Sequence, residues 1–249
     1  MDTLSTDTHI DSLDAAGAAL LAAAAKAGTD AEVPTCPDWR VRDLLRHTSM
    51  VHRWATDLVT TGDPSFRPGI TEPPQELDGD ALLAYAHESH ARLVGALRAA
   101  PDDLDCWTFL PAPSPRAFWA RRQNHETTVH RADAESSLAT APGPVDPLVA
   151  ADGIDELLSG FHARDRSRVR TDRPRTLRVR TTDGDAVWTV HLSEAAPRTE
   201  RGAEGPADCE LSGPAAVLYL ALWNRLPQDT LTVTGDPALA RLWREHSGI

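Results

Sequence analysis

The eight residues TAPGPVDP at 140–147 divide the chain into two stretches with different hydrophobic periods, and that division limits the architectures open to it. Upstream, apolar residues recur at helical spacing. Ile10, Leu13, Ala16, Leu20, Leu21 and Ala24 form one stripe. Leu44, His47, Val51, Trp54 and Leu58 form a second, on a helix that Thr35 is expected to cap, with Pro37 near its first turn. Leu83, Ala86, His90, Leu93 and Leu97 form a third, over about 79–99, and a fourth helix is expected over about 115–139. Four amphipathic helices in succession predict a four-helix bundle.

Downstream the pattern changes. A helix at about 148–163 leads to RTLRVRTT, the turn DGD and AVWTVHLS, which read as two alternating strands around a tight turn. DCELSG and DTLTVTG read as further strands, with a helix in PAAVLYLALWNRL and a last capped helix in DPALARLWREH. Mixed runs of this kind predict a small α+β domain. The expected organisation is α+β: a bundle over residues 1–143, then a smaller α+β domain over 147–249.

A chain of 249 residues with 41% apolar and 25% charged residues can build a core for each part. The N-terminus MDTLSTDTHIDS lacks a signal peptide's basic and apolar regions, and the Ala-rich stretch after it is too short to span a bilayer. A cytoplasmic protein with no membrane partner is the expectation. The net charge of −12 argues against nucleic acid as a partner. Cys36, Cys106 and Cys209 form no C-x-x-C pair, which excludes a disulfide framework or a cysteine-built zinc site. Nine arginines lie between Arg164 and Arg198, and a solvated strand face accounts for most of them.

The chemistry concentrates in RRQNHETTVH, residues 121–130. It resembles the zinc-protease motif H-E-x-x-H, but the register is wrong. At about 100° per residue, His125 and His130 lie roughly 140° apart on a helix and cannot share an ion. Glu126 and His130 lie within roughly 40° of each other and share a face. A carboxylate and an imidazole on one helix can hold a metal if another helix supplies a third ligand. His47, inside the stripe of the second helix, is the best placed; His52 points away. One Glu and two His with a fourth position open is the ligand set of a catalytic zinc site. Asp133, one turn after His130, is positioned to orient that imidazole. Spacing alone also admits a polar helix without a metal, because E-x-x-x-H pairs arise often by accident.

Two segments narrow this. VPTCPDWRVRDLLRHTSMVHRWA and FWARRQNHETTVHRADAE closely resemble the signature segments of the mycothiol-dependent maleylpyruvate isomerase family, and the layout is similar along the whole chain. The resemblance implies a DinB-like metal-binding four-helix bundle followed by a small α+β domain. It implies zinc, or another divalent metal, on His47, Glu126 and His130. It also implies mycothiol as a thiol cosubstrate, and an active-site arginine from the C-terminal domain, for which LALWNRLP offers Arg225; a surface arginine at a helix end is the other reading of that residue.

The implied reaction adds a thiolate to a cis double bond conjugated to a carbonyl. Rotation and elimination then give the trans isomer; transfer of the same thiolate to another electrophile would make an S-transferase. The expected partners are a small electrophile and a low-molecular-weight thiol, and the chain is expected to be a monomer or homodimer. Two alternatives stay open: a non-catalytic DinB-like metal-binding protein, and a zinc-dependent hydrolase that uses no thiol.

Overall fold

The computed structural model describes residues 4–248 and divides them into two compact units, one spanning Ser5–Gly143 and the other Pro144 onward together with Leu4. No described helix is long and apolar enough to cross a membrane.

The first unit is built from α1 (Thr6–Ala27), α2 (Val41–Thr61), α3 (Gly79–Ala99) and α4 (Pro115–Ser136). Local chemistry fixes three of the starts. Ser5 Oγ accepts from Thr8 N–H, Asp78 from Gly79 N–H, and Ser114 from Ala117 N–H, so each side chain satisfies a backbone donor that the helix cannot. Pro115 follows Ser114, at the position where a missing N–H is harmless. The apolar heart joins Leu20, Leu21 and Ala24 of α1 to Leu44 and Leu45 of α2, Leu82 and Ala86 of α3, and Ala134 of α4.

The expected start of α2 at Thr35 is corrected. Asp38 has φ 73°, outside the helical region, and the helix begins only at Val41. Residues 29–40 instead form a folded loop in which Val33 N–H donates to Trp39 C=O at 2.9 Å and Trp39 N–H donates to Cys36 C=O at 3.0 Å.

The second unit begins with α5 (Pro147–Asp155), capped by Asp146 and continued by a π-helical stretch, Glu156–Phe161. A five-stranded sheet follows, made of β1 (Arg175–Thr181), β2 (Val187–Leu192), β3 (Arg198–Arg201), β4 (Cys209–Gly213) and β5 (Thr232–Gly235), in the order β3-β2-β1-β4-β5. β1 and β2 form the expected antiparallel hairpin, with Leu177 opposite Val190. β1 and β4 pair in parallel, the remaining neighbours antiparallel. Helices α6 (Ala215–Leu222) and α7 (Pro237–His246) pack against β4. β3, sequence RTER, is largely exposed and carries no apolar alternation, so periodicity could not reveal it.

Candidate metal centre

Helices α2 and α4 pack together in the bundle. Where they face, His47 Nε2 lies 3.1 Å from Glu126 Oε1, and His130 Nε2 lies 3.2 Å from the same oxygen. One ligand atom from each of the three residues falls within 4.8 Å of the other two. The four-residue spacing along α4 does place Glu126 and His130 on one face, and α2 supplies the third donor across the gap.

The surroundings fix the orientation of each donor. His130 Nδ1 pairs with Asp133 Oδ2 at 2.8 Å, leaving Nε2 toward Glu126. Asp133 is fully buried and accepts a second hydrogen bond on Oδ1 from Thr35 Oγ1, at 2.6 Å. Thr35 is therefore no helix cap; it anchors the loop to the carboxylate that aims His130. Arg122, one turn before Glu126, donates to Glu126 Oε2 at 3.2 Å. The Trp39 ring lies 6.2 Å from the His130 ring at an interplanar angle of 20°, and 5.2 Å from the His47 ring. Trp39, Thr35 and Arg122 were missed as site residues; only P-D-W ahead of the helix hinted at the first.

These neighbours set the ionisation. Burial opposes ionisation of the Glu126 carboxyl, but hydrogen bonds from His130 and His47 and the charge of Arg122 outweigh it and hold the group well below the usual carboxylate range. Burial likewise opposes charge on His130, and here Asp133 and Glu126 prevail, raising its pKa to about 9. A cation held at Nε2 would have to displace a proton.

The donor set fits a divalent metal. Two imidazoles and a carboxylate converge from two helices, and a buried carboxylate orients one imidazole, as in many zinc sites.

The other histidines are elsewhere. His125 is fully buried with its ring edge-on to His9 at 5.7 Å. His52 is buried one layer deeper, paired with Thr127 Oγ1 at 2.9 Å, and burial chiefly lowers its pKa to about 3. His90 is a core residue bonded to Asp14 C=O at 3.3 Å. None of the three cysteines belongs to the cluster, and burial raises the pKa of Cys106 and Cys209. Arg225 lies in the second unit, just beyond α6, where Nη1 donates to Trp223 C=O at 2.8 Å.

Comparison with known proteins agrees with this layout. The model of the mycothiol maleylpyruvate isomerase N-terminal domain matches residues 10–135, and that of the C-terminal domain matches residues 149–242. Crystal structures of a mycothiol-dependent maleylpyruvate isomerase and of its histidine-to-alanine mutant superpose with a TM-score of 0.66. At 15% and 14% identity they cover 94% of this chain and 96% of their own, which establishes a shared fold. No curated protein matches the sequence. With both domain models matched in order along one chain, this protein belongs to the mycothiol-dependent maleylpyruvate isomerase family.

Proposed function

We propose that the chain is a zinc- and mycothiol-dependent enzyme that presents a low-molecular-weight thiol, as its thiolate, to a small electrophile. The convergence of His47 Nε2, Glu126 Oε1 and His130 Nε2 within 4.8 Å is the observation that carries this reading, together with family membership. When bound there, a divalent cation would favour thiolate over thiol at neutral pH, supplying the nucleophile that the chemistry requires.

The chain's own residues do the positioning. Asp133 holds the His130 ring so that Nε2 carries the donor lone pair, and Thr35 holds Asp133. Arg122 occupies Glu126 Oε2, leaving Oε1 as the inward donor. The Trp39 ring stacks on the His130 imidazole and lies tilted beside that of His47. Arg225 is the proposed contact for an acidic electrophile. The thiolate would add to an activated double bond and leave after rotation, giving isomerisation, or remain attached, giving S-transfer.

The test is turnover of maleylpyruvate, and then of other activated electrophiles, with mycothiol, glutathione or no thiol, alongside elemental analysis. Thiol-dependent turnover that disappears with the metal in His130→Ala is expected. Equal turnover without thiol would instead make the chain a hydrolase, and bound metal without any turnover a non-catalytic binder. Arg225→Met should raise KM for acidic electrophiles more than it lowers kcat.

A further inference from the structure

The two oxygens of Glu126 do different work. Both imidazoles approach Oε1, His47 Nε2 at 3.1 Å and His130 Nε2 at 3.2 Å. Donors about 2.0–2.1 Å from a tetrahedral zinc lie roughly 3.3 Å from one another, so a metal can replace the shared protons without moving the carboxylate. Oε2 belongs to Arg122, which sits one turn earlier on the same face of α4 and donates from Nη2 at 3.2 Å. Arg122 is only 3% exposed. Its guanidinium stays protonated, so the bond is charge-assisted, and breaking it would leave a buried carboxylate oxygen without its donor.

A carboxylate meets a metal through one oxygen or through both. Through both, Glu126, His47 and His130 would supply four donors; through one, they supply three. Three protein donors and an open fourth position describe a catalytic zinc site, whereas Mn2+ and Mg2+ favour six ligands, mostly oxygen. Glu126 therefore decides which metal the cluster suits and whether a position stays free. Electrostatics points the same way. A guanidinium beside a ligand carboxylate repels a dication, so Arg122 does not serve to make metal binding tighter. What it supplies is a limit on the carboxylate.

We propose that Arg122 is a positioning residue that confines Glu126 to one-oxygen ligation, so that the cluster favours a four-coordinate metal over six-coordinate ones. The inference rests on the metal-dependent reading above and adds the residue that limits what the cluster can hold. It has a definite sign. Loss of a residue that merely braces the helix would weaken every metal. Loss of Arg122 frees Oε2 and removes a repelling charge, so a metal that seeks further oxygen ligands gains.

The first test needs no variant. X-ray absorption of the zinc-loaded full chain should show four light donors at about 2.0–2.1 Å, without the short zinc–carbon distance of two-oxygen ligation. The second compares native protein with Arg122→Met and Arg122→Lys by chelator competition for Zn2+ and Mn2+, and by the visible spectrum of the Co2+ form. Arg122→Met should bind Mn2+ about tenfold more tightly, the size of one contact to a charged group, and lose part of the preference for Zn2+. Its cobalt bands should weaken from the intense absorption of a four-coordinate site to that of a higher coordination number. Arg122→Lys, which keeps a cationic donor, should restore the native spectrum and preference. Two-oxygen ligation in the native protein overturns the proposal and leaves the metal-dependent reading standing. So does weaker binding of both metals in Arg122→Met with an unchanged cobalt spectrum, which would make Arg122 a brace. A native chain that takes up no metal overturns both.

Discussion

Along α4 the buried positions include Arg122, Gln123, Asn124, His125, Thr127, Thr128, His130 and Asp133; in the sheet of the second unit they are chiefly Leu177, Val179, Trp188, Val190, Leu192 and Leu211. The two units use their interiors differently. Burying a polar group costs free energy unless a partner is supplied, and even then the net gain is modest. The bundle supplies partners from other segments: Asn124 to His9 at 3.1 Å and His52 to Thr127 across helices, and Asp133 to Thr35 of the 29–40 loop. Its stability therefore has to come from apolar contacts, to which α4 adds Phe118, Trp119, Val129 and Ala134, while the polar face of α4 carries the chemistry. In the sheet, burial and stability come from the same residues.

That contrast can be broken most directly by a pair of substitutions. Glu126→Gln removes a charged donor from the cluster and should abolish stoichiometric metal binding and thiol-dependent turnover, with little change in the unfolding midpoint. Leu211→Ala, in the centre of the sheet, should cost about 2–5 kcal/mol of stability while metal content stays intact. Elemental analysis and chemical denaturation of both proteins decide the matter. If Glu126→Gln unfolds the bundle, or Leu211→Ala empties the cluster, the division of labour is wrong.

Acid should act on both units. His162, in the second unit, is buried beside Trp243, and burial lowers its pKa from 6.5 to about 4. The unfolded chain therefore takes up this proton first. The stability it contributes is complete above pH 6.5 and is lost as pH falls toward 4, by roughly 3 kcal/mol at most. His52 acts in the same direction in the bundle. Denaturation midpoints between pH 7 and pH 4 should fall, and His162→Phe should flatten the slope of the second unit alone. An unchanged slope in that variant would remove His162 from the explanation.

The smallest effect sharpens the picture of the bundle. A Cβ on Gly17 would sit 2.2 Å from His90 Cε1, so α1 needs a glycine where the ring approaches. Gly17→Ala should destabilise by roughly 1–3 kcal/mol through overpacking, despite the gain in helix propensity. In a His90→Ala background the same change should turn stabilising. Thermal melts of the single and double variants measure the reversal, and destabilisation in both backgrounds would show that the ring is not what requires the glycine.

The residues legible in the sequence were those governed by short-range periodicity. Glu126 and His130 follow from helix arithmetic, and His47 from its place in an apolar stripe. The same logic located all four bundle helices and the β1–β2 hairpin. It failed where partners are distant in sequence. Thr35 looked like a cap because the sequence cannot show that Asp133 needs its hydroxyl. Arg46 gathers four carbonyls from the 73–77 segment, which no local pattern announces. Nor does any local signal mark the edge strand RTER, whose side chains face mostly solvent.

The Ser114–Pro115 cap sets the zero from which α4 is counted. Pro115 stops the helix from starting earlier, so the angle at which Glu126 and His130 emerge depends on the number of residues from that point. Inserting or deleting a single residue between Pro115 and Glu126 would turn the pair by about 100° away from His47. The loops between helices do not set that angle, whereas this interval acts as a ruler and must keep its count.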